Sequence, residues 1–379
     1  MSVNLLRRPG LFLAVGLAAG AFALAHVRLI NSSNGNALFW EQPSQVTIVI
    51  QKSGSDDIPD RGHVPALRNA IAEWNGATGT SARLLEVTNS ADQNSQDWAS
   101  SARHLIMFDE SNSSGFFPSG SGIVAVTPIS FFSGGNIVDA DILFNGRSFR
   151  FTTEGTVGRF DVQDVATHEL GHILGLDHTG AAGASLNPYV DPTQLLHRSI
   201  SIDEVHGLRD AYPSGGHGTL GGQIVRSTNG ARLPGAWVAA RDADGRLAGA
   251  ALCDANGRFT MRGMDPGTYT VYATPLDFPV SASNLTPGHS IQTNFESTVL
   301  GTAVVSGTGT TQMGTRQVGP DVVLSLGQNS DGFPLRAISG ASRTLLLRGR
   351  GLWPGGSLVA SDPTLTIENV VWGGLWVMF

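Results

Sequence analysis

Apolar positions along the chain follow two regimes, and the change comes near residue 213. Before it, strand-like runs alternate with helical stripes. The run Gln-Val-Thr-Ile-Val-Ile at 45–50 is rich in β-branched residues and predicts a strand. Leu67, Ile71 and Trp74 fall at i, i+4, i+7 and predict an amphipathic helix over 64–75 that packs across a sheet. Further strands are predicted at 104–108, with His104 as a strand-edge or core residue, and at 122–129 and 137–144, the last two separated by Gly134-Gly135. Residues 151–161 read as a loop whose last residue, Asp161, is a good N-cap for the next helix. In that helix Ala166, Leu170 and Ile173 form the core-facing stripe. A last helix over 201–212 has a capping box at Ser201 and Glu204 and a stripe of Ile202, Val205 and Leu208. His197 and His206, near or on this element, read as ordinary helix or surface residues.

The helix capped by Asp161 carries the chemistry. Its sequence from 168 to 178 is His-Glu-Leu-Gly-His-Ile-Leu-Gly-Leu-Asp-His. On a helix His168 and His172 lie one turn apart on the same face. Neutral imidazole suits tetrahedral zinc, and H-E-x-x-H on a helix is a zinc-hydrolase arrangement. Gly175 can take the left-handed conformation that ends the helix and turns the chain back, which brings His178 in as a third ligand. Three protein ligands leave one position open for water, as catalytic rather than structural sites do. Glu169 is placed as general base to a water at that position. Two solvated histidines and a stray third would explain neither the glycine nor the spacing.

Alternation adds two more candidate sites. Gly-Ile-Val-Ala-Val-Thr at 122–127 is a candidate sheet edge, and an edge has unpaired backbone groups to which an extended peptide can add. Ile123, Val124 and Ala125 are therefore candidate substrate-binding positions. Asp139 and Asp141 alternate with Ala140 and Ile142 and project to one face, as a candidate calcium site or as a solvated polar face.

Composition sets the setting. At 379 residues the chain has room for two or three domains, and 15% charged residues with 48 glycines describe a turn-rich, β-heavy protein. A net charge of -7 argues against general nucleic-acid affinity. Arg7-Arg8, an apolar run over 11–24 and Ala-Leu-Ala at 23–25 describe a secretory signal peptide over 1–25, too short to span a bilayer comfortably. The mature chain is then expected to start near His26, without a membrane span. Cys253 is the only cysteine, so there is no intrachain disulfide and no cysteine-bearing segment to cap a zinc ion. Export without disulfides suits a bacterial source.

The order of these features resembles the matrixin group of metzincins. A strand comes first, then a helix ending Ala-Glu-Trp-Asn at 72–75. Val-Asp-Ala-Asp-Ile-Leu-Phe-Asn follows at 138–145, then H-E-x-x-H-x-x-G-x-x-H, then Ser-Ile-Asp-Glu-Val-His-Gly-Leu at 201–208. Thr179 after the third histidine also fits that group. The resemblance covers roughly 40–213. It implies a mixed, mainly parallel sheet backed by helices, a zinc helix under a substrate cleft, and endoproteolysis. The chain departs from the family at the Met-turn, the methionine-containing turn beneath the zinc. Ala-Ser-Leu-Asn-Pro-Tyr at 184–189 resembles that turn, with Leu186 at the methionine position, and Leu and Met have similar volume. Pro188 and Tyr189 would then line the primary specificity pocket or simply pack the turn.

Ser-Gly-Gly-His-Gly at 214–218 reads as the core of a linker over 214–219. Beyond it, short strands alternate with turns at Asp242–Gly245, Asp254–Gly257 and Asp265–Gly267. Gly-Gln-Ile-Val at 222–225, Asp-Ala-Asn-Gly-Arg-Phe-Thr at 254–260 and Pro-Gly-Thr-Tyr-Thr-Val at 266–271 resemble the carboxypeptidase-regulatory-like, transthyretin-like sandwich, placed at 220–328. That family implies no catalysis. Residues 331–379 resemble the start of an IPT/TIG sandwich but are too few for a whole one. The expected fold class is therefore an α+β zincin catalytic domain of metzincin type over 26–213, followed by all-β immunoglobulin- or transthyretin-like sandwich modules. The expected function is that of a secreted zinc metalloendopeptidase. It would work as a monomer on a protein or peptide substrate, with one catalytic zinc and calcium as a candidate second ion. Two rivals stand beside it: a surface adhesion protein with a weakened protease domain, and a zinc hydrolase of another bond.

Overall fold

A computed structural model describes residues 27–319, apart from 101–102, 182, 194, 277–279 and 296, and two short strands further on. The signal-peptide segment, 1–25, lies outside the described residues. In the first unit the elements run β1 (Val46–Ile50), α1 (His63–Asn75), β2 (Leu84–Glu86), α2 (Ser90–Gln93), β3 (Leu105–Phe108), β4 (Ala125–Val126), β5 (Ile129–Phe131), β6 (Ile137–Ala140), β7 (Ile142–Phe144), β8 (Phe151–Thr152), β9 (Phe160–Asp161), α3 (Val162–Ile173) and α4 (Ile202–Ala211). Five strands form one sheet in the order β2-β1-β3-β7-β4. Its pairs are parallel except the last, where Ala125 faces Phe144 and Val126 faces Leu143 antiparallel.

Both faces of this sheet are covered, which is why β1 and β3 are apolar almost throughout. On one side Ile48, Ile50, Ile106, Phe108, Ile142 and Phe144 meet Leu67 and Trp74 of α1 and Leu170 and Ile173 of α3. Phe108 stacks on Phe144 at 4.6 Å, and Phe151 packs edge-on against both. On the other side Val49, Leu105, Met107 and Leu143 cover Phe117. Trp74 donates its indole N–H to the Thr167 carbonyl at 2.9 Å, tying α1 to α3.

Three sequence expectations change. The run at 137–144 is not one strand: it breaks at Asp141, and its halves join different sheets. The first half, β6, pairs with β5 as a hairpin, while β7 enters the main sheet. The run at 122–129 likewise divides into Ala125–Val126 of β4 and Ile129, which opens β5, and the loop at 151–161 opens and closes on a short parallel pair, β8 with β9.

The second unit begins inside the expected linker. Ser214 donates to Gly79 O at 3.0 Å, His217 Nε2 donates to the same carbonyl at 3.0 Å, and β10 starts at Gly218. β10 (Gly218–Arg226), β11 (Trp237–Arg241), β12 (Leu247–Leu252), β13 (Arg258–Met264), β14 (Gly267–Thr274), β15 (Thr298–Val305) and β16 (Thr310–Val318) form two sheets, β13-β10-β16 and β12-β11-β14-β15. Their inner faces bury Leu220, Ile224, Val238, Phe259, Met261, Tyr269, Val271 and Val305 in one core. Turn chemistry explains the Asp-rich links: Asp242 accepts from the Asp244 and Arg246 N–H groups, and Asp254 from those of Asn256 and Arg258. Two more strands, β17 (Arg343–Leu346) and β18 (Thr364–Ile367), pair antiparallel in the region expected to begin a further module. The rest of 331–379 lies outside the described residues. No helix among the described residues is long and apolar enough to cross a membrane.

The two units are packed together. Val27, Ala181 and Ala184 of the first join Trp237, Ala239, Ala250, Leu252, Leu276, Val280 and Leu285 of the second in one apolar cluster. Beside it, α4 lies on β12 and β13 through polar contacts. His206 is fully buried, not a surface residue: Nδ1 donates to Ala248 O at 2.5 Å and Nε2 stands 3.2 Å from Asp265 Oδ2. Arg209 reaches Asp265 Oδ1 at 2.7 Å and the Gly263 carbonyl. His197 is buried as well, its backbone N–H donating to Asp164 Oδ1 at 2.6 Å. Helix stripes locate apolar burial only, and both histidines are buried because carboxylates and carbonyls meet them.

The junction makes a pH prediction. His206, with Arg209, holds the Asp265 carboxyl well below the ordinary carboxylate range, although its partial burial acts the other way. A depressed folded-state value means that the contact stabilises fully above the unfolded value, near 4, and is lost as pH falls below it. Thermal melts between pH 3 and 7 should therefore fall more steeply toward acid in the wild type than in Asp265→Ala. Parallel curves for the two proteins would refute this.

Candidate metal centre

Local chemistry makes α3 begin and end where it does. The Asp161 carboxylate accepts the Asp164 N–H at 3.0 Å as N-cap, and Arg198 holds that carboxylate at 2.6 Å. At the other end Gly175 has φ +83°, and a Cβ there would stand 2.7 Å from Leu38 O, so only glycine fits. The returning chain is fixed by Leu29 N–H and Arg28 Nε donating to Gly175 O, and by Asp177 N–H donating to Val27 O. That return carries His178 back to the two helical histidines.

The three imidazoles converge. His172 Nε2 is 3.1 Å from His168 Nε2 and 3.2 Å from His178 Nε2, and the third separation is 3.2 Å. Each Nδ1 faces a main-chain carbonyl: His168 that of Ser185 at 2.7 Å, His172 that of Leu176 at 2.9 Å, and His178 that of Asn284. A carbonyl only accepts, so each Nδ1 carries the proton and each Nε2 presents a lone pair. Three lone pairs aimed at one point repel one another unless a cation sits among them. Tetrahedral zinc with Zn–N bonds of about 2.0 Å needs nitrogens about 3.3 Å apart, close to the spacing here, so these residues fit that ion. Burial, and then the charges of its two neighbours, holds the His168 imidazole well below its ordinary range. His172 is pushed down to about 4, again by burial first. Both therefore stay neutral, as metal ligands must be. Among the described residues this is the group of three or more His, Cys, Asp or Glu side chains placed to hold a metal ion.

Glu169 lies beside the triangle with its side chain turned to Thr127, whose hydroxyl donates to Oε2 at 2.5 Å. Burial pushes the Glu169 carboxyl up to about 7, against the lowering effect of that hydroxyl. A dication at the three nitrogens would favour the carboxylate instead. A carboxylate beside the position that a metal-bound water would take is suited to accept a proton and return it. Thr127 lies between β4 and β5, a residue read only as the end of an edge strand, and nothing in its spacing points to Glu169. Thr127→Val should leave metal content unchanged and lower turnover by roughly 10- to 150-fold, the value of one hydrogen bond to a charged group. Unchanged turnover would show that the hydroxyl is idle.

Beneath the helix sits Leu186, 3% exposed, on the turn resembling the Met-turn. A Cβ on Gly171 would come within 2.6 Å of Leu186 and 2.9 Å of Trp74, so the glycine lets both pack directly under α3. Glu204 anchors this turn. Besides closing the capping box with Ser201, its buried carboxylate accepts Ser185 Oγ–H at 2.5 Å and Leu186 N–H at 2.7 Å. The carbonyl of that same Ser185 holds His168.

Of the other expected site residues, Ile123 and Val124 use their carbonyls inward, accepting from Asn145 Nδ2 and Asn145 N, while Ala125 starts edge strand β4. Tyr189 is half exposed, next to Pro188, and its hydroxyl lies 3.4 Å from Asn284 Nδ2. The structure gives no support to a calcium site at Asp139 and Asp141. Both are buried, not solvated: Asp139 pairs with His104 Nδ1 at 3.1 Å, and Asp141 accepts the Leu105 N–H at 2.7 Å. Burial pushes the Asp141 carboxyl up to about 9.

Comparison with known proteins agrees with this geometry. Residues 39–213 match the Matrixin family and residues 219–298 the carboxypeptidase regulatory-like domain family. Over 79 residues, 21% of this chain and 23% of the relative, the sequence is 29% identical to Metalloendoproteinase 4-MMP of Arabidopsis thaliana. It is 33% identical over 61 residues to Metalloendoproteinase 1 of Glycine max, 16% of this chain and 20% of that one. It is 37% identical over 75 residues to Stromelysin-3 of Rattus norvegicus, 18% and 15% of the two chains. The matched stretches thus span under a quarter of each relative's length. The chain carries a matrixin domain of mixed, mainly parallel sheet followed by a carboxypeptidase regulatory-like β-sandwich.

Proposed function

We propose that the chain is a secreted zinc-dependent metalloendopeptidase that hydrolyses peptide bonds of extracellular proteins. The observation that carries this reading is the triangle of His168, His172 and His178 Nε2 atoms, each with its Nδ1 proton given to a carbonyl, beside a buried Glu169. Bound there, zinc supplies Lewis acidity toward a water and toward the scissile carbonyl. Glu169 takes the proton of the attacking water and returns it to the leaving amine. Thr127 holds the carboxylate in line, and Leu186 is the apolar floor under the helix. The extended substrate adds along Ile123, Val124 and Ala125, and Pro188 with Tyr189 walls the specificity pocket. In this reading residues 1–25 are an export signal, 26–213 catalyse, 214–219 connect, and 220–328 form the appended sandwich, with a partial module over 331–379. The protein works as a monomer.

The test is metal content and cleavage of a mixed peptide library by the purified mature chain. About one zinc per chain, with internal cleavage abolished by a chelator and restored by zinc, is the expected result. A chain that takes up no zinc would overturn the proposal. Zinc uptake with cleavage of a non-peptide ester alone would replace the peptide substrate by another.

A further inference from the structure

Two of the three histidines receive their orienting carbonyl from their own unit, Ser185 for His168 and Leu176 for His172. The third does not. Asn284, whose main-chain oxygen accepts His178 Nδ1–H, lies 106 residues further on, beyond β14 of the sandwich. It closes a single helical turn, Ala282–Asn284, boxed by Ser281 N–H donating to Asn284 Oδ1 at 2.9 Å. Two residues later Thr286 N–H donates to Asp177 Oδ2 at 2.8 Å, while Asp177 Oδ1 accepts the N–H of His178 at 2.8 Å. One buried carboxylate therefore holds the backbone of the ligand and the backbone of the segment that orients it. His289 packs beside this carboxylate, its Nε2 3.7 Å from Asp177 Oδ2. Leu285, between the two contacts, is buried in the apolar cluster shared by both units. His178 needs such support, since it follows the helix end and its side chain is 24% exposed.

We propose that residues 281–289 are a positioning segment of the metal centre, contributed by the sandwich: the Asn284 carbonyl fixes the tautomer and ring angle of His178, and the Asp177–Thr286 bond holds that carbonyl in place. The inference rests on the zinc reading above. Partners that orient metal-bound histidines matter to affinity about 10- to 100-fold. The metal affinity of the matrixin domain is accordingly set in part by a domain that supplies no ligand. Asn284 also reaches Tyr189, so the same turn braces the pocket wall.

The experiment measures zinc affinity of the full mature chain by competition with a chromophoric chelator. Asn284→Ala removes the side-chain oxygen that closes the turn. Thr286→Pro removes the N–H given to Asp177, and the extended Leu285 before it (φ -96°, ψ 160°) accepts a following proline. Both should bind zinc about 10- to 100-fold more weakly than wild type. Asn284→Asp, which keeps an acceptor for Ser281 N–H, should stay near wild type, as should Thr315→Ala on the far β16 strand. In the zinc-loaded wild type, NMR of the imidazoles should show three Nδ1–H protons protected from exchange, and only two in Asn284→Ala. Wild-type affinity and three protected protons in both variants overturn the inference. A wild-type chain that binds no zinc overturns the function proposed above instead.

Discussion

Glu169→Ala is expected to keep about one zinc per chain while kcat/KM for a cleaved peptide falls by roughly a hundred- to ten-thousand-fold. That is about 3–5.5 kcal/mol of transition-state stabilisation. Metal retention is expected because the three ligand nitrogens and their carbonyl partners do not involve this side chain, whose own contact is with Thr127. Loss of zinc together with activity would make Glu169 a ligand or a structural prop, and unimpaired cleavage would remove it from the mechanism. Metal analysis and steady-state kinetics on the same preparation separate these outcomes.

Glu204→Ala should be the most damaging change outside the metal ligands. The side chain is 2% exposed and accepts from Ser201 N–H, Ser185 Oγ–H and Leu186 N–H. Leaving two backbone donors buried without acceptors costs about 1–3 kcal/mol each, so roughly 2–6 kcal/mol of folding stability is at stake. The turn at Ser185 and Leu186 would loosen with it, and the Ser185 carbonyl would drift from His168. Zinc affinity should then fall as well, by about 10- to 100-fold. Glu204→Gln is the discriminating variant: its single oxygen can serve Ser185 and Leu186 while only Ser201 loses its acceptor. It should lie between wild type and Ala in melting temperature and near wild type in zinc affinity. An Ala variant that melts with the wild type would show the network to be redundant.

What could be read from the sequence is what depends on neighbours in the chain. The i, i+4 histidines, the glycine that reverses the backbone and the capping aspartate act within one or two turns, so spacing alone located the convergence of His168, His172 and His178. The carbonyls that orient those rings come from positions 4, 17 and 106 residues away, and no periodicity encodes the last two. The run at 137–144 shows the same limit. Its residues suit strands throughout, yet which sheet each half joins is decided by β5 and β3, and the break falls at Asp141. Alternation of Asp139 and Asp141 with apolar residues suggested a shared open face. Their burial follows from His104 and the Leu105 N–H, partners that alternation does not reveal. Glu204 was legible as a cap and illegible as the anchor of the Leu186 turn, because the second role belongs to packing between α4 and the loop before it.

The apolar cluster built from Val27, Ala181 and Ala184 on one side and Trp237, Leu276 and Leu285 on the other has a thermodynamic consequence. Surface buried between two units enters the free energy of both, so neither can melt without exposing part of the other. Calorimetry of the intact chain should therefore show one cooperative transition where two separately folded units would give two, and stripping the metal should lower the temperature at which the sandwich itself unfolds.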